Sequence, residues 1–452
     1  MNKITLPSSF IYGVADSDLQ TIGEDLTRKY ENSEQTMWDF FAKTSGKCFN
    51  NDTPGIGTDK YHKWPEDIEI LKELGITNYR TSVSMARILN RNGNVNSEAL
   101  KWYRNFFSKL KSEKINIFAT LYHWELPQYL SENGGWKNKK TIEIYLKHCN
   151  AVVENLGDLI DEYFLLNEPW ASGFVGHYYG VHAPGETNLK SALLSIHNLL
   201  LAQGLAFKEL SNKYNAIKLS TVYNVAPAYP QSNKSEDILA AKYCDGFYNR
   251  WFLDPIYFGE YPLDMLELFE KDLPTISNED LKIIKIGSEL DSIGLNYYNG
   301  HIVKRSEKNL LGFEDIYDLS KNHNDLGWAI FTKPDYPEGL FDILSNLTKK
   351  YKFKKIYITE NGTAFKSTWD GNQELVDDDR RIKFISDHLS QVKKALDDNI
   401  PVAGYFSWTF MDNYEWNEGY RPESAFGLIY VDRKTMERVI KKSALWYKNQ
   451  IL

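Results

Sequence analysis

The sequence predicts an α/β chain folded as a single-domain (β/α)8 TIM barrel over residues 1–452. Three observations carry that prediction. Short β-branched and aromatic runs, with the composition of buried strands, recur along the whole chain. Helical stripes of apolar residues at spacings of three and four separate them, and this alternation favours a parallel sheet. No glycine-rich turn follows the first run, as it would in a doubly wound open sheet, and no repeat, low-complexity tract or Pro/Ser-rich linker divides the chain.

Taken in order, residues 8–15 (SSFIYGVA) read as the first strand, with a polar tail from Asp16 to Gln20. Pro65, Glu66 and Asp67 open a helix: Pro at the first position, acids in the first turn, Gly75 just past the end, and a stripe of Ile68, Leu71 and Leu74. The second strand covers 78–84 and contains Arg80. Leu100, Tyr103, Phe107 and Leu110 mark the next helix, and residues 116–121 the third strand, which ends in Tyr122-His123-Trp124. A helix over about 141–156 precedes the fourth strand, 163–166, which delivers Asn167-Glu168-Pro169. A long helix over about 189–214, a fifth strand at 218–223 and helical stretches near 236–250 and 262–271 follow. The sixth strand, 292–295, ends in Asn296-Tyr297-Tyr298. Ile356, Tyr357 and Ile358 belong to the seventh, which stops abruptly at Thr359-Glu360-Asn361-Gly362. A helix striped by Ile382, Ile385, Leu389 and Val392 leads to the eighth strand, 402–408, and a helix near 441–450 closes the chain.

Composition narrows the function. A hydrophobic fraction of 42% with 25% charged residues is that of a globular protein, and a net charge of −8 offers no basic footprint for nucleic acid or an anionic membrane. The first residues, MNKITLPSSF, lack the apolar run of a signal peptide, and no stretch reaches transmembrane length. Three scattered cysteines, Cys48, Cys149 and Cys244, argue against a disulfide framework and a zinc site. Together these features predict a cytoplasmic protein. Its 14% aromatic content, with 12 Trp and 29 Tyr, supplies rings that pack cores and also stack on the apolar faces of sugars.

In a barrel, polar residues at the C-terminal ends of the strands read as catalytic. Those ends collect Gln20, Arg80, His123, Trp124, Asn167, Glu168, Asn296, Tyr298, Glu360 and Trp408. Two strands ending in Glu bring two carboxyls to one face, which is what cleavage of a glycosidic bond requires. The other tips are mostly hydrogen-bonding side chains suited to hydroxyls, and none has metal-ligand spacing, so neither metal nor cofactor is called for. Each tip also has a structural explanation, His123 as a core histidine and Trp408 as packing; their concentration at nearly every strand end favours a site.

Across essentially its whole length the sequence resembles the family 1 glycoside hydrolases, the β-glucosidase type. The resemblance rests on TLYHWELP at 120–127, NEP at 167–169, GVHAPG at 180–185, NRWFLDP at 249–255, GLNYY at 294–298, ITENG at 358–362 and WTFMDNYEW at 408–416. It implies a retaining β-glycosidase with Glu168 as acid/base and Glu360 as nucleophile, Arg80 and Tyr298 keeping Glu360 ionised, and Asn167 beside the sugar 2-hydroxyl. It also implies that Gln20, His123, Trp124, Asn167, Asn296, Trp328, Glu415 and Trp416 surround the sugar, with Trp408 stacked beneath it.

The sequence departs from the family pattern at four places. Ile22 stands where the family has Glu in Gln-Ile-Glu-Gly, and Ser84-Met85-Ala86-Arg87 replaces Ser-Trp-x-Arg. The interval from Trp328 through Tyr336 to Pro337-Glu338-Gly339 and the loop 419–426 are both longer than usual, and both belong to the leaving-group side. Residues 417–427 contain no lysine, unlike the phosphate-recognising branch. The expected substrate is therefore a neutral β-glycoside, a glucoside first, with galactoside and fucoside activity alongside. A transglycosidase, a 6-phospho-β-glycosidase and a non-catalytic sugar-binding barrel are the competing readings. No oligomeric state is implied.

Overall fold

The computed structural model describes residues 3–316, 323–327, 337–371 and 373–451. Trp328 and the interval 329–336 lie outside them. Eight parallel strands close into a barrel: β1 (Ile11–Ala15), β2 (Asn78–Ser82), β3 (Asn116–Thr120), β4 (Glu162–Asn167), β5 (Leu219–Asn224), β6 (Ile293–Asn296), β7 (Ile356–Asn361) and β8 (Val402–Trp408). Neighbours in sequence are neighbours in the sheet, and β1 closes on β8 from Ile11 opposite Gly404 to Ala15 opposite Trp408. The expected eight-stranded barrel is therefore the observed one.

Strand composition explains the layering. Aromatic side chains alternate inward, so Phe118, Phe164, Tyr357 and Phe406 fill the barrel interior. Phe118 meets Phe406 and Tyr357 edge to face, with centroids 5.0 and 5.6 Å apart. This plug forms a dry floor, and the Arg80 guanidinium lies 5.5 Å above the Phe164 ring. Outside the strands, Ile117, Tyr163, Leu165, Ile293 and Ile358 pack against the helices.

The expected helices at 189–214 and near 382–392 are observed as Leu189–Lys213 and Asp379–Asp397. The helix expected to open at Pro65 instead begins at Lys60 and runs to Glu73, with Pro65 inside it. Pro65 cannot donate to the Tyr61 carbonyl one turn back, but that oxygen accepts from Trp102 Nε1 (2.9 Å), so the loss is covered. The early start is held by Lys60 itself, whose buried amine donates to Asp16 Oδ2 (3.1 Å) and the Tyr79 hydroxyl (2.8 Å), tying the end of β1 to β2. The stretch near 236–250 likewise divides into Ser235–Asp245, a wide π-helical turn Gly246–Arg250, and Trp251–Phe258. A small sheet of Ala228–Pro230, His301–Arg305 and Phe313–Asp315, not assigned from the sequence, follows β5 and β6.

Candidate active site

A cavity of about 410 Å³ opens at the C-terminal ends of the strands. Glu168 and Glu360 both line it, as do His123, Trp124, Asn296 and Tyr298. Trp408, Glu415 and Trp416 complete the predicted residues in its wall. Arg80, Asn167 and Gln20 are completely buried just behind that wall, and Trp328 lies outside the described residues.

Glu360 stands at the tip of β7 because the chain there cannot carry a side chain at the next-but-one position. A Cβ on Gly362 would fall 1.8 Å from the Trp408 carbonyl oxygen, so glycine lets the β7 and β8 tips touch. Asn361 is equally committed: its amide donates to the Tyr297 carbonyl (2.7 Å) and its oxygen accepts from the Tyr405 hydroxyl (2.7 Å). The Glu360 carboxylate accepts from Arg80 Nη1 at Oε1 (2.6 Å) and from the Tyr298 hydroxyl at Oε2 (2.5 Å). Burial raises its pKa, and Arg80 and the hydrogen bonds from Arg80 and Tyr298 offset only part of that rise.

Glu168 follows β4 in a different setting. Its backbone is left-handed, with φ of 45°, as are Trp124 (68°) and Trp416 (48°) on the same cavity. Such backbones cost of order 1 kcal/mol or more each in residues other than glycine, and they gather where a site must be held in place. Asn296 Nδ2 donates to Glu168 Oε1 (2.6 Å). Burial, followed by the nearby charge of Glu360, pushes the Glu168 carboxyl up to about 8. At neutral pH Glu168 is thus the more readily protonated of the two, and Glu360, with its cation and phenol, the better anion.

The buried residues hold these two in register. Arg80 Nη2 donates to Asn167 Oδ1 (2.6 Å), and Asn167 Nδ2 donates to His123 Nε2 (3.2 Å). That assigns the proton of the neutral imidazole to Nδ1, which has no protein partner among the described residues. Burial and Arg80 hold His123 well below the usual histidine range. Trp124 Nε1 donates to the Asn167 carbonyl (3.0 Å), and the Trp124 and Trp416 rings meet at 4.6 Å. Gln20 Nε2 donates to Glu415 Oε2 (3.2 Å) and the Tyr414 carbonyl (2.7 Å), so Gln20 reaches the cavity through Glu415. Burial, then Glu360 and Glu418, raise the Glu415 pKa well above the carboxylate range.

The departures acquire local explanations. Ile22 is fully buried in the outer core, where a carboxylate would need a partner. Arg87 donates to Glu31 (2.7 and 2.9 Å) and to Asp18 (3.1 and 3.2 Å), and so braces the short helix Asp18–Thr21 that carries Gln20. In the longer loop, Arg421 pairs with Glu418 (2.7 Å), which lines the cavity. Among the described residues no Lys or Arg lines it. Among the described residues there is likewise no group of three or more His, Cys, Asp or Glu that could hold a metal ion.

Sequence reasoning missed Trp170, Asn224, Tyr248 and His301, which line the cavity together with Phe426 of the loop it had placed on the leaving-group side. Asn224 is the last residue of β5, one beyond the expected end, and Trp170 directly follows the Asn-Glu-Pro motif. Tyr248 stacks on His301 with centroids 4.2 Å apart and on Trp170 at 5.1 Å. His182, from the GVHAPG stretch, also lines the cavity, and burial lowers its pKa to about 4.

A closed parallel barrel with two buried, unlike carboxyls at its strand tips has what cleavage of a glycosidic bond requires, and its similarity to known proteins shows the chain to be a glycosidase enzyme. A model of glycosyl hydrolase family 1 matches residues 2–452, and the chain belongs to that family. It is 38% identical to a 1,4-beta-D-glucan glucohydrolase of Thermotoga neapolitana, over 98% of each chain. It is 37% identical to beta-glucosidase A of Thermotoga maritima, over 100% of this chain and 98% of that one. A solved beta-glucosidase of this family from Exiguobacterium antarcticum superposes with a TM-score of 0.93 at 35% identity, covering 99% of this chain and 98% of the other. The Thermotoga maritima family 1 enzyme, solved with a cyclophellitol analogue described as a transition-state mimic, gives a TM-score of 0.93 at 36% identity, over 98% and 97%.

Proposed function

We propose that the protein is a β-glucosidase that hydrolyses neutral β-glycosides with retention, with Glu360 as nucleophile and Glu168 as acid/base. The observation that carries the reading is the unequal setting of the two carboxyls: Arg80 and Tyr298 on Glu360, only an amide on Glu168. Glu360 attacks the anomeric carbon while Glu168 gives its proton to the leaving oxygen. Once Glu360 is esterified its charge is gone, and the Glu168 pKa falls. Glu168 then takes a proton from the incoming water, whose oxygen attacks the same carbon and releases Glu360.

Sugar recognition falls to Trp408 as the platform and to His123, Asn296, Glu415 and Trp416, with Gln20 and Asn167 acting from behind. The unpartnered His123 Nδ1–H and the acceptor oxygens of Glu415 support this assignment. A lining that holds Glu360 and Glu418 and, among the described residues, no Lys or Arg favours neutral sugars over phosphorylated ones. Galactosidase and fucosidase activity belongs to the same proposal. The partner is a small glycoside, and the net charge of −8 argues against nucleic acid. Among the described residues no helix is long and apolar enough to cross a membrane, and Cys48, Cys149 and Cys244 are free and buried. These features support a cytoplasmic site of action. The test is a panel of aryl β-glycosides and cello-oligosaccharides with the first-formed product followed by NMR. β-Glucose released first from a β-glucoside supports the proposal, and α-glucose first overturns it.

A further inference from the structure

Arg381 lies on the helix Asp379–Asp397, outside the cavity, and is 1% exposed. Its guanidinium gathers backbone carbonyls from two separate loops. Nη1 donates to Thr363 (2.6 Å) and Phe426 (2.9 Å), and Nη2 donates to Ala425 (2.8 Å) and Phe365 (3.5 Å). Nε donates to Asp378 (3.0 Å), which accepts in turn from the Ser443 hydroxyl (2.6 Å) and amide (2.8 Å). One loop, 363–365, continues β7 three residues beyond Glu360. The other, 425–426, carries Phe426, which lines the cavity and meets the Tyr298 ring edge to face at 6.3 Å. Tyr298 is the phenol that donates to Glu360.

We infer that Arg381 is a positioning residue for the nucleophile, acting on Glu360 through these two loops. This rests on the reading of Glu360 as nucleophile. Both routes from Arg381 end at the same carboxylate, one along the β7 main chain and one through Phe426 and Tyr298. A planar fork of donors fits converging carbonyls, and an ammonium group, with fewer donors on a flexible stem, does not replace it. Loss of the fork leaves buried carbonyl dipoles repelling one another, and the loops separate. The carboxylate then loses its orientation and its phenol, and small displacements of a reacting group cost up to a hundredfold in rate.

The experiment compares Arg381→Lys with the parent, alone and combined with Tyr298→Phe. The probe is 2-deoxy-2-fluoro-β-glucosyl fluoride, whose covalent adduct is located by peptide mass spectrometry. The parent is expected to be labelled on Glu360. In Arg381→Lys the labelling rate is expected to fall roughly tenfold to a hundredfold, with its acidic pH limb moved to higher pH. The double variant falls by much less than the product of the two single effects, because both act on one hydrogen bond. Asp378→Ala, which frees Nε but keeps the fork, gives the same change at smaller size and serves where Arg381→Lys is too unstable to assay. A lowered Tm with labelling rate and pH limb unchanged makes Arg381 purely structural and overturns the inference. Labelling of the parent at a residue other than Glu360 overturns the underlying reading instead, whatever Arg381 does.

Discussion

The division of labour between Glu168 and Glu360 is set by their partners, and it dictates a pH profile. Under the proposed assignment, activity requires Glu360 ionised and Glu168 protonated, so kcat/KM is expected to follow a bell. Its alkaline limb reports Glu168, pushed up to about 8 by burial and by the charge of Glu360. The limbs belong to the coupled pair, so removing one carboxyl moves the other. Glu168→Gln is expected to lose the alkaline limb on substrates with poor leaving groups, as read from pH–rate curves. The same shift bears on stability. A carboxyl whose folded pKa lies above its unfolded one stabilises at low pH and loses that contribution as pH rises through the folded value. Glu168→Gln is therefore expected to match the parent's Tm near pH 4 and to exceed it by a few degrees near pH 9. A variant less stable than the parent at high pH would contradict the raised pKa. The sequence showed both carboxyls because each ends a buried run; it did not show that Asn296 would serve Glu168, since that contact joins β6 to β4.

At the scale of elements, the site depends on how closely strand tips approach. Gly362 sits where β7 meets the Trp408 carbonyl, and Gly362→Ala places a methyl 1.8 Å from that oxygen. The backbone must then move, at a cost of about 1–3 kcal/mol or more, and Glu360 moves with it. The expected outcome is a lowered Tm together with a loss of at least roughly tenfold in kcat on an aryl glucoside; unchanged kcat would show that the tip tolerates separation. The eight strands were legible because each is a short apolar run bounded by polar tips. The start of the Lys60–Glu73 helix was not, because Pro65 is a usual first-turn residue and its tolerance inside the helix depends on Trp102, distant in sequence. Tyr248 and His301 were missed for a similar reason: a π-helical turn and a three-residue ladder of strands bring them to the mouth, and neither carries a sequence period.

For the molecule as a whole, charge and cavity composition point the same way, and they predict what the enzyme rejects. The chain carries a net charge of −8, and its cavity contains Glu168, Glu360, Glu415 and Glu418 with no Lys or Arg in the wall among the described residues. The cations nearest in the network are already committed, Arg80 to Glu360 and Arg421 to Glu418. A glucoside bearing a 6-phosphate would bring close to two negative charges into a buried cavity where Glu360 is the better anion and no cation among the described residues is free to receive them. Burial strengthens that repulsion, because the wall excludes the water and salt that would screen it. The expected outcome is that kcat/KM for an aryl β-glucoside exceeds that for its 6-phosphate by at least about a hundredfold, a discrimination of roughly 3 kcal/mol. The discrimination is expected to persist at 0.5 M salt, since the opposing charges are buried; collapse of the ratio with salt would move its origin to the surface. Glu415→Gln replaces an acceptor by a donor at a carboxyl that burial already holds toward its neutral form, so it is expected to lower activity on the neutral glucoside while leaving the ratio, set by the absence of a free cation, largely unchanged. Equal kcat/KM on the two substrates in the parent enzyme would refute the neutral-glycoside assignment outright.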